Sequence, residues 1–469
     1  MSVLDKSSTI ARPGYSKWLI PPAALCVHLC IGQVYAFSVF KTSLVARFDS
    51  SQTAVAWIFS IAIVMLGLSA AVLGTWVERV GPRKAMTAAA LCWGSGFMIG
   101  SLGIAIGSLP VLYLGYGVIG GIGLGIGYIS PVSSLIKWFP DRPGLATGMA
   151  IMGFGGGALI ASPLSTKLMS VFDSGFDPKD TTSVASSSAL SSTFLTLGIV
   201  YLVFMLIGAA LVRVPPGHGD DDTVVPQPGR NGALVTASQA IRTPQFAFLW
   251  IVLFCNVTAG IGILEQAAPM SQDYFRNGSG DSAVTAAEAA GFVGMLSLAN
   301  MAGRFVWSSL SDVIGRRLTY MMYLGVGAVM YVLLALIGSQ STAIFVIIAC
   351  VIISYYGGGF ATIPAYLKDE FGTLEVGAIH GRLLTAWAAA GVVGPLIVNG
   401  ILDAAGEPGS LVADDYYPAL ITMTVLLVIG FVSNLMIRPV DSKHYDDEAV
   451  RKAEEWADAD RAVVTGKGH

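Results

Sequence analysis

Charge is what this sequence is shortest of. Asp, Glu, Lys and Arg make up only 12% of its 469 residues, about half of the ~25% usual in soluble domains. A chain of this length with so few charges cannot cover a globular surface of its own with polar groups, which argues against a soluble enzyme. The formal net charge of −3 is too small to draw in a polyanion, so no nucleic-acid partner is expected. Cysteine is scarce as well. Cys26, Cys30, Cys92, Cys255 and Cys350 all fall inside apolar runs with no CxxC spacing, so buried, inert thiols are expected and not a disulfide or a metal site. The apolar segments hold no nucleophile–base or metal-ligand cluster, and neither a cofactor nor enzymatic chemistry is expected.

What the sequence has in abundance is apolar residues, 54% in all, with a mean hydropathy of +0.68. Runs of ~20 apolar residues, each long enough to cross a ~30 Å hydrocarbon core, recur along its length. Twelve spans are predicted, near 17–41, 53–77, 85–107, 110–137, 144–171, 190–213, 245–271, 287–310, 318–338, 341–367, 380–402 and 417–437. The fold expected is therefore an all-α polytopic membrane protein in a lipid bilayer, with the first span a permanent helix. A polar linker over 214–244 separates an N-terminal six-helix half (1–213) from a C-terminal one (245–437), and 438–469 form a tail. That tail is expected to be a solvated extension able to form a charged helix.

Basic residues set the expected orientation. Of the 27 Lys and Arg, only Lys41, Arg47, Lys167, Lys179 and Arg276 fall on one side of the spans, and Arg304 lies within one. All the others fall on the opposite side, which the positive-inside rule assigns to the cytoplasm together with both termini. A multi-pass protein of a cytoplasmic (inner) membrane is expected, acting as a monomer.

Arg304 is the most informative position. An arginine inside a membrane helix costs roughly 2.5–3.5 kcal/mol or more on insertion scales, and normally faces a protein interior or a wet cavity where it meets something negative. Its guanidinium offers two parallel donors that match the two oxygens of a carboxylate, and it cannot lose its charge. It lies only ~12 Å of helix from Asp312, so snorkelling to the headgroups is the alternative. Arg316 and Arg317 already occupy that boundary, which favours a cavity-facing role.

The two halves also repeat each other at a shift of about 233 residues. Gly74-x-x-x-Glu78-x-x-Gly81-x-Arg83-Lys84 returns as Ser308-x-x-x-Asp312-x-x-Gly315-Arg316-Arg317, Pro131 is matched by Pro364, and Pro163 by Pro395. Parallel six-helix repeats around a central path are the architecture of major facilitator carriers, with the substrate near mid-membrane. The repeated turn suggests gating residues, Glu78 with Arg83 and Asp312 with Arg316, pairing across helices in one access state and parting in the other. The glycine-rich stretches at Gly117–Gly127 and Gly153–Ala158 lack the strand and the Lys-Ser/Thr of a nucleotide loop, and are expected to serve close helix packing.

Five stretches carry a family resemblance: GQVYAFSVF (Gly32–Phe40), GLGIGYISPVSSLIKWFPDRPGLATGMAIMGFGGGALI (Gly123–Ile160), NVTAGIGILEQAAPMSQ (Asn256–Gln272), GGGFATIPAY (Gly357–Tyr366) and HGRLLTAWAAAGVVGP (His380–Pro395). Together they resemble the oxalate/formate antiporter family of the major facilitator superfamily, related to the monocarboxylate transporters. The resemblance implies transport of a small organic carboxylate, with Arg304 of the eighth span binding it. It also implies pocket positions at Tyr35 and Tyr128.

Where oxalate-transporting members carry a second cation, a lysine on the eleventh helix, this chain has Trp387. A dicarboxylate would leave one charge uncompensated in a low-dielectric site, a cost of several kcal/mol. A monocarboxylate such as pyruvate, lactate or formate is therefore expected. An oxalate or dicarboxylate exchanger using another cation such as Lys41 is the alternative, and a membrane carboxylate sensor a further one. Asn300 stands where animal monocarboxylate transporters have an aspartate one turn before the arginine, and it cannot titrate. Protons, if coupled, then need another carrier. Glu265, ~28 Å along its helix, and His28 are the candidates. Tyr356 and Phe360, one turn apart, complete the expected pocket lining, and His380 is expected at the cytoplasmic start of the eleventh helix.

Overall fold

The computed structural model describes residues 4–12, 14–50, 52–177, 184–216, 226–229, 232–276, 284, 286–406 and 411–464, with a few side chains inside helices left out, Glu265 among them. Twelve long helices dominate it. The first six are α1 (Ile20–Ile31, tightening into a 3-10 stretch over Gly32–Phe40), α2 (Gln52–Val80), α3 (Pro82–Ile106), α4 (Leu109–Trp138), α5 (Pro143–Phe172) and α6 (Ser187–Leu211). The second six are α7 (Pro244–Asp273), α8 (Ala286–Ile314), α9 (Arg316–Gln340), α10 (Thr342–Phe371), α11 (Val376–Ala405, broken at Leu384) and α12 (Tyr417–Met436). Taken over the described residues, eleven of these are long and apolar enough to cross a bilayer. α8 carries Glu288, Arg304 and Asp312 along its length.

The repeat seen in the sequence is a repeat of structure. Pro131 and Pro364 lie inside α4 and α10, and Pro163 and Pro395 inside α5 and α11. Gly81 and Gly315 both open the following helix with positive φ, +84° and +87°. A side chain at either would strain that left-handed turn, so glycine recurs there.

The two six-helix groups meet along two seams, α2 against α11 and α5 against α8 and α10. Small residues allow the approach. A Cβ on Gly381 would lie 2.1 Å from the Ala70 carbonyl, and one on Gly148 2.2 Å from Ser308 Oγ. In lipid there is no hydrophobic drive between helices, so this close van der Waals contact is what holds them. Within the first group, Trp93, Phe97, Tyr116 and Phe194 form a ring cluster with centroids about 5–6 Å apart.

Two expectations need correction. The eleventh helix begins at Val376 and not near 380, which places His380 in its second turn, 1% exposed, inside the bundle and not at its mouth. The tail is not a free extension. It forms α13 (Asp447–Val464), and its start is tied to the linker by the Asp446 N–H donating to the Leu234 carbonyl at 2.8 Å.

Candidate functional site

Arg304 is fully buried where α8 meets α5 of the other half. Its Nε donates to Asn300 Oδ1 one turn earlier on α8 at 3.0 Å, and Nη1 donates to the Ile151 carbonyl of α5 at 3.4 Å. The guanidinium lies over two rings, Phe360 at 5.3 Å and Phe154 at 5.6 Å. Its Nη2 has no hydrogen-bond partner. Among the described residues no carboxylate comes within ion-pair distance of it. Leaving a charged donor buried without an acceptor costs more than the ~1–3 kcal/mol of a neutral one. The local sequence explains why it can stand here. Gly148 and Gly155 of α5 leave room for α8, and a Cβ on Gly155 would sit 3.6 Å from Arg304 Nε.

An aromatic box closes round this cation. Trp387 of α11 meets Phe360 (4.7 Å), Tyr128 (5.5 Å) and Phe154 (5.7 Å). Phe154 is met edge-on by Tyr35 (5.0 Å) and Tyr128 (5.5 Å), and Tyr356 by Phe360 (5.2 Å). The hydroxyls of Tyr35, Tyr128 and Tyr356 are all buried without a partner. Tyr35 Oη lies near both Arg304 and Tyr356 yet meets neither in hydrogen-bonding geometry. The structure thus brings together Arg304, Asn300, Tyr35, Tyr128, Trp387, Tyr356 and Phe360. Three hydroxyls and one guanidinium nitrogen within one ring-lined box can donate to a small anion.

Phe154 belongs to this box and was missed in the sequence. It is the one large side chain in the glycine stretch Gly153–Ala158, and a bulky residue kept among glycines is the signal that could have found it. His28 lies close by, its Nδ1 and Nε2 each within hydrogen-bonding distance of a backbone carbonyl. Glu265 is on α7, with its side chain outside the described residues.

At the repeated turns the structure shows Asp312 paired with Arg316 as expected, but Glu78 paired with Lys137 in place of Arg83, and both carboxylates also reach across to the other half. Glu78, at the end of α2, accepts the backbone N–H of Gly377 at 3.0 Å, in the first turn of α11 in the other half. Asp312, at the end of α8, accepts the N–H groups of Gly144 (2.9 Å) and Leu145 (2.8 Å), in the first turn of α5. Each carboxylate therefore caps a helix of the opposite half, where unsatisfied N–H groups and the positive dipole end favour an anion.

Asp312 is also ion-paired to Arg316, whose Nε lies 3.3 Å from Asp369. Glu78 pairs with Lys137 of α4 and not with Arg83, and it also accepts from Ser133. Arg83 donates to the Ala209, Ala210 and Val212 carbonyls at the end of α6. It ties helices within its own half, because those exposed carbonyls are the nearest acceptors its helix presents it to. Thr147 and Lys368 add further bonds between the halves, to the Ala361 carbonyl (2.6 Å) and the Pro140 carbonyl (3.2 Å).

Comparison with known proteins gives the following. The family model described as Major Facilitator Superfamily matches residues 23–395. The transporter YhjX of Escherichia coli (strain K12), itself described as uncharacterised, is 26% identical over 369 residues, 78% of this chain and 83% of its own length. The oxalate:formate antiporter of Oxalobacter formigenes is 25% identical over 373 residues, 79% and 81% of the two chains. Apicoplast pyruvate carrier 1 of Toxoplasma gondii is 24% identical over 440 residues, 84% and 76%. Among solved structures, the transporter FucP in the outward conformation superposes with a TM-score of 0.66 at 14% identity, covering 91% of this chain and 100% of that one. At that identity the likeness is one of fold alone.

Proposed function

The chain belongs to the Major Facilitator Superfamily, and from that premise we propose that it carries small monocarboxylates of the pyruvate, lactate or formate type by alternating access. The observation that carries the reading is Arg304. It is a fully buried cation with one nitrogen unpartnered, next to three unpartnered tyrosine hydroxyls in a box of rings. A carboxylate entering between the halves takes two donors from the guanidinium and further ones from Tyr35, Tyr128 or Tyr356. No covalent step is involved. The names of two relatives, an oxalate:formate antiporter and a pyruvate carrier, support carboxylate as the substrate class.

Trp387 supports one carboxylate over two. It stands against Phe360 and Phe154, where a dicarboxylate's second charge would need a cation. Glu78 and Asp312 act as the gate at what the basic-residue asymmetry makes the cytoplasmic end. In support of that reading, both carboxylates bond to helices of the opposite half, and rocking that opens this end must pull them off the facing helices. Both termini are then cytoplasmic, with the linker 214–244 and the tail on the same face.

The test is uptake of labelled pyruvate, lactate and formate by the purified protein in liposomes. Arg304→Ala and Arg304→Lys are expected to lose at least about a hundredfold in uptake, the cost of leaving the anion without its bidentate partner, while the purified protein stays folded. Wild-type uptake by either variant rules the assignment out. Competition by unlabelled oxalate against pyruvate decides between one carboxylate and two.

A further inference from the structure

Arg304 accounts for one charge in the central box, and a second group able to hold one lies beside it. His28, on α1, is fully buried. Its Nδ1 is 2.6 Å from the Ala150 carbonyl of α5, and its Nε2 is 3.2 Å from the Tyr128 carbonyl of α4. A neutral imidazole has one N–H and one lone pair. It can donate to one of these carbonyls, and its lone pair must then face the other oxygen. The imidazolium donates to both. The surroundings are therefore shaped for the cation, while burial opposes any uncompensated charge.

The titratable and charged groups that face His28 are few. Tyr128 of α4 stacks on it at 5.6 Å. His380 of α11, in the other half, contacts the same Tyr128 ring at 5.8 Å, and both its nitrogens are buried without a partner. Arg304 of α8 is within electrostatic reach. Among the described residues, α5 presents the Ala150 carbonyl and Gly153 to His28, and α6 packs Gly208 against Val27 next in the chain.

We propose that His28 is the proton site of this carrier: it takes a proton from the aqueous side when an anion occupies Arg304, and returns it when the anion leaves. The inference rests on Arg304 being the anion site. With a bare guanidinium nearby, a second buried cation is repelled. A carboxylate on Arg304 cancels that repulsion, and the two carbonyls then favour the imidazolium. Linkage makes the effect mutual, so the proton tightens anion binding by the same factor by which the anion tightens proton binding. His380 has no acceptor at either nitrogen to stabilise a charge and stays neutral, since two adjacent imidazoliums would titrate as a coupled pair. The loaded carrier crosses with one anion and one proton, and the transport is electroneutral symport.

The experiment counts protons. Wild-type protein in lipid nanodiscs is titrated calorimetrically near pH 7 with pyruvate, lactate and formate, each in two buffers of different ionisation enthalpy. About one proton taken up per anion bound is expected for wild type, none for His28→Gln, and the wild-type count for His380→Gln. In liposomes, the ratio of pH-gradient-driven accumulation to anion exchange is expected to fall at least about tenfold in His28→Gln. Wild-type binding without proton uptake overturns the inference even if no variant folds, and so does undiminished gradient-driven accumulation by His28→Gln. Anion binding that survives Arg304→Ala refutes the anion site separately, and if none of the three anions binds wild type, both readings fall.

Discussion

At the scale of single residues, the proposed site rests on polar atoms left unsatisfied. Arg304 is oriented by Asn300 and by rings on both faces, and the nitrogen left over has no acceptor. Asn300 is thus a positioning residue: its oxygen fixes Nε and leaves Nη2 without a partner. A hydrogen bond to a charged group is worth about 1.5–3 kcal/mol. Asn300→Ala is accordingly expected to weaken anion binding by about 10–100-fold while the chain still folds and inserts, and calorimetric affinity checks it. Asn300→Gln, whose longer amide cannot keep the same register, should not restore it fully. The sequence showed that Asn300 cannot titrate, but its bond to Arg304 depends on the rotamers of two side chains one turn apart.

At the scale of helices, the proposed gate is a pair of crossed caps. A carboxylate at a helix N-terminus contributes about 0.3–1 kcal/mol, and up to ~2 kcal/mol when partly buried. Asp312 makes two such bonds across the seam. Asp312→Asn keeps the size and loses the charge, and it is expected to shift the balance of states about fivefold towards an open charged end. Spin-label distances measured across that end report the shift. An unchanged distance distribution would mean the cap is incidental to closure. The repeated Gly, acid, Gly, Arg pattern was visible in the sequence, and so was its link to gating. That the acids cap helices of the opposite half was not, because residues 78 and 377 are brought together only when α2 lies along α11.

At the scale of the whole molecule, the linker and tail gather at the charged end. Linker residues bond to the loop before α11, with Val235 N–H donating to the Phe371 carbonyl at 3.1 Å and Ala237 N–H to Glu375 at 2.7 Å. A cavity of about 400 Å³ beneath α13 is lined by Glu78, Lys137, Glu375, Asp446 and Lys452. Past its first turn α13 carries exposed charges paired along its own surface, Lys452 with Glu448 and Arg451 with Glu455. Contacts of that kind contribute little. Ending the chain after Tyr445 removes α13 yet spares the anchor in which Gln245 donates to the Arg438 and Pro439 carbonyls. Flux in liposomes is expected to stay within about twofold of wild type, as for surface changes worth ~0.5 kcal/mol. A protein whose output was signalling would lose it.

Composition and periodicity alone determined the class of molecule, because a spanning segment must satisfy every backbone group internally and continuous apolar runs of about 20 residues do so as helices. They also determined the internal repeat and the one arginine too costly to be idle. The site's membership was decided only in three dimensions. Phe154 of α5, Arg304 of α8 and Trp387 of α11 come from helices far apart in the chain, and no local pattern says which faces of α1, α4, α5, α8, α10 and α11 converge. Close packing at glycine seams sets that convergence, and it turns scattered aromatic residues into a box around one unpaired charge.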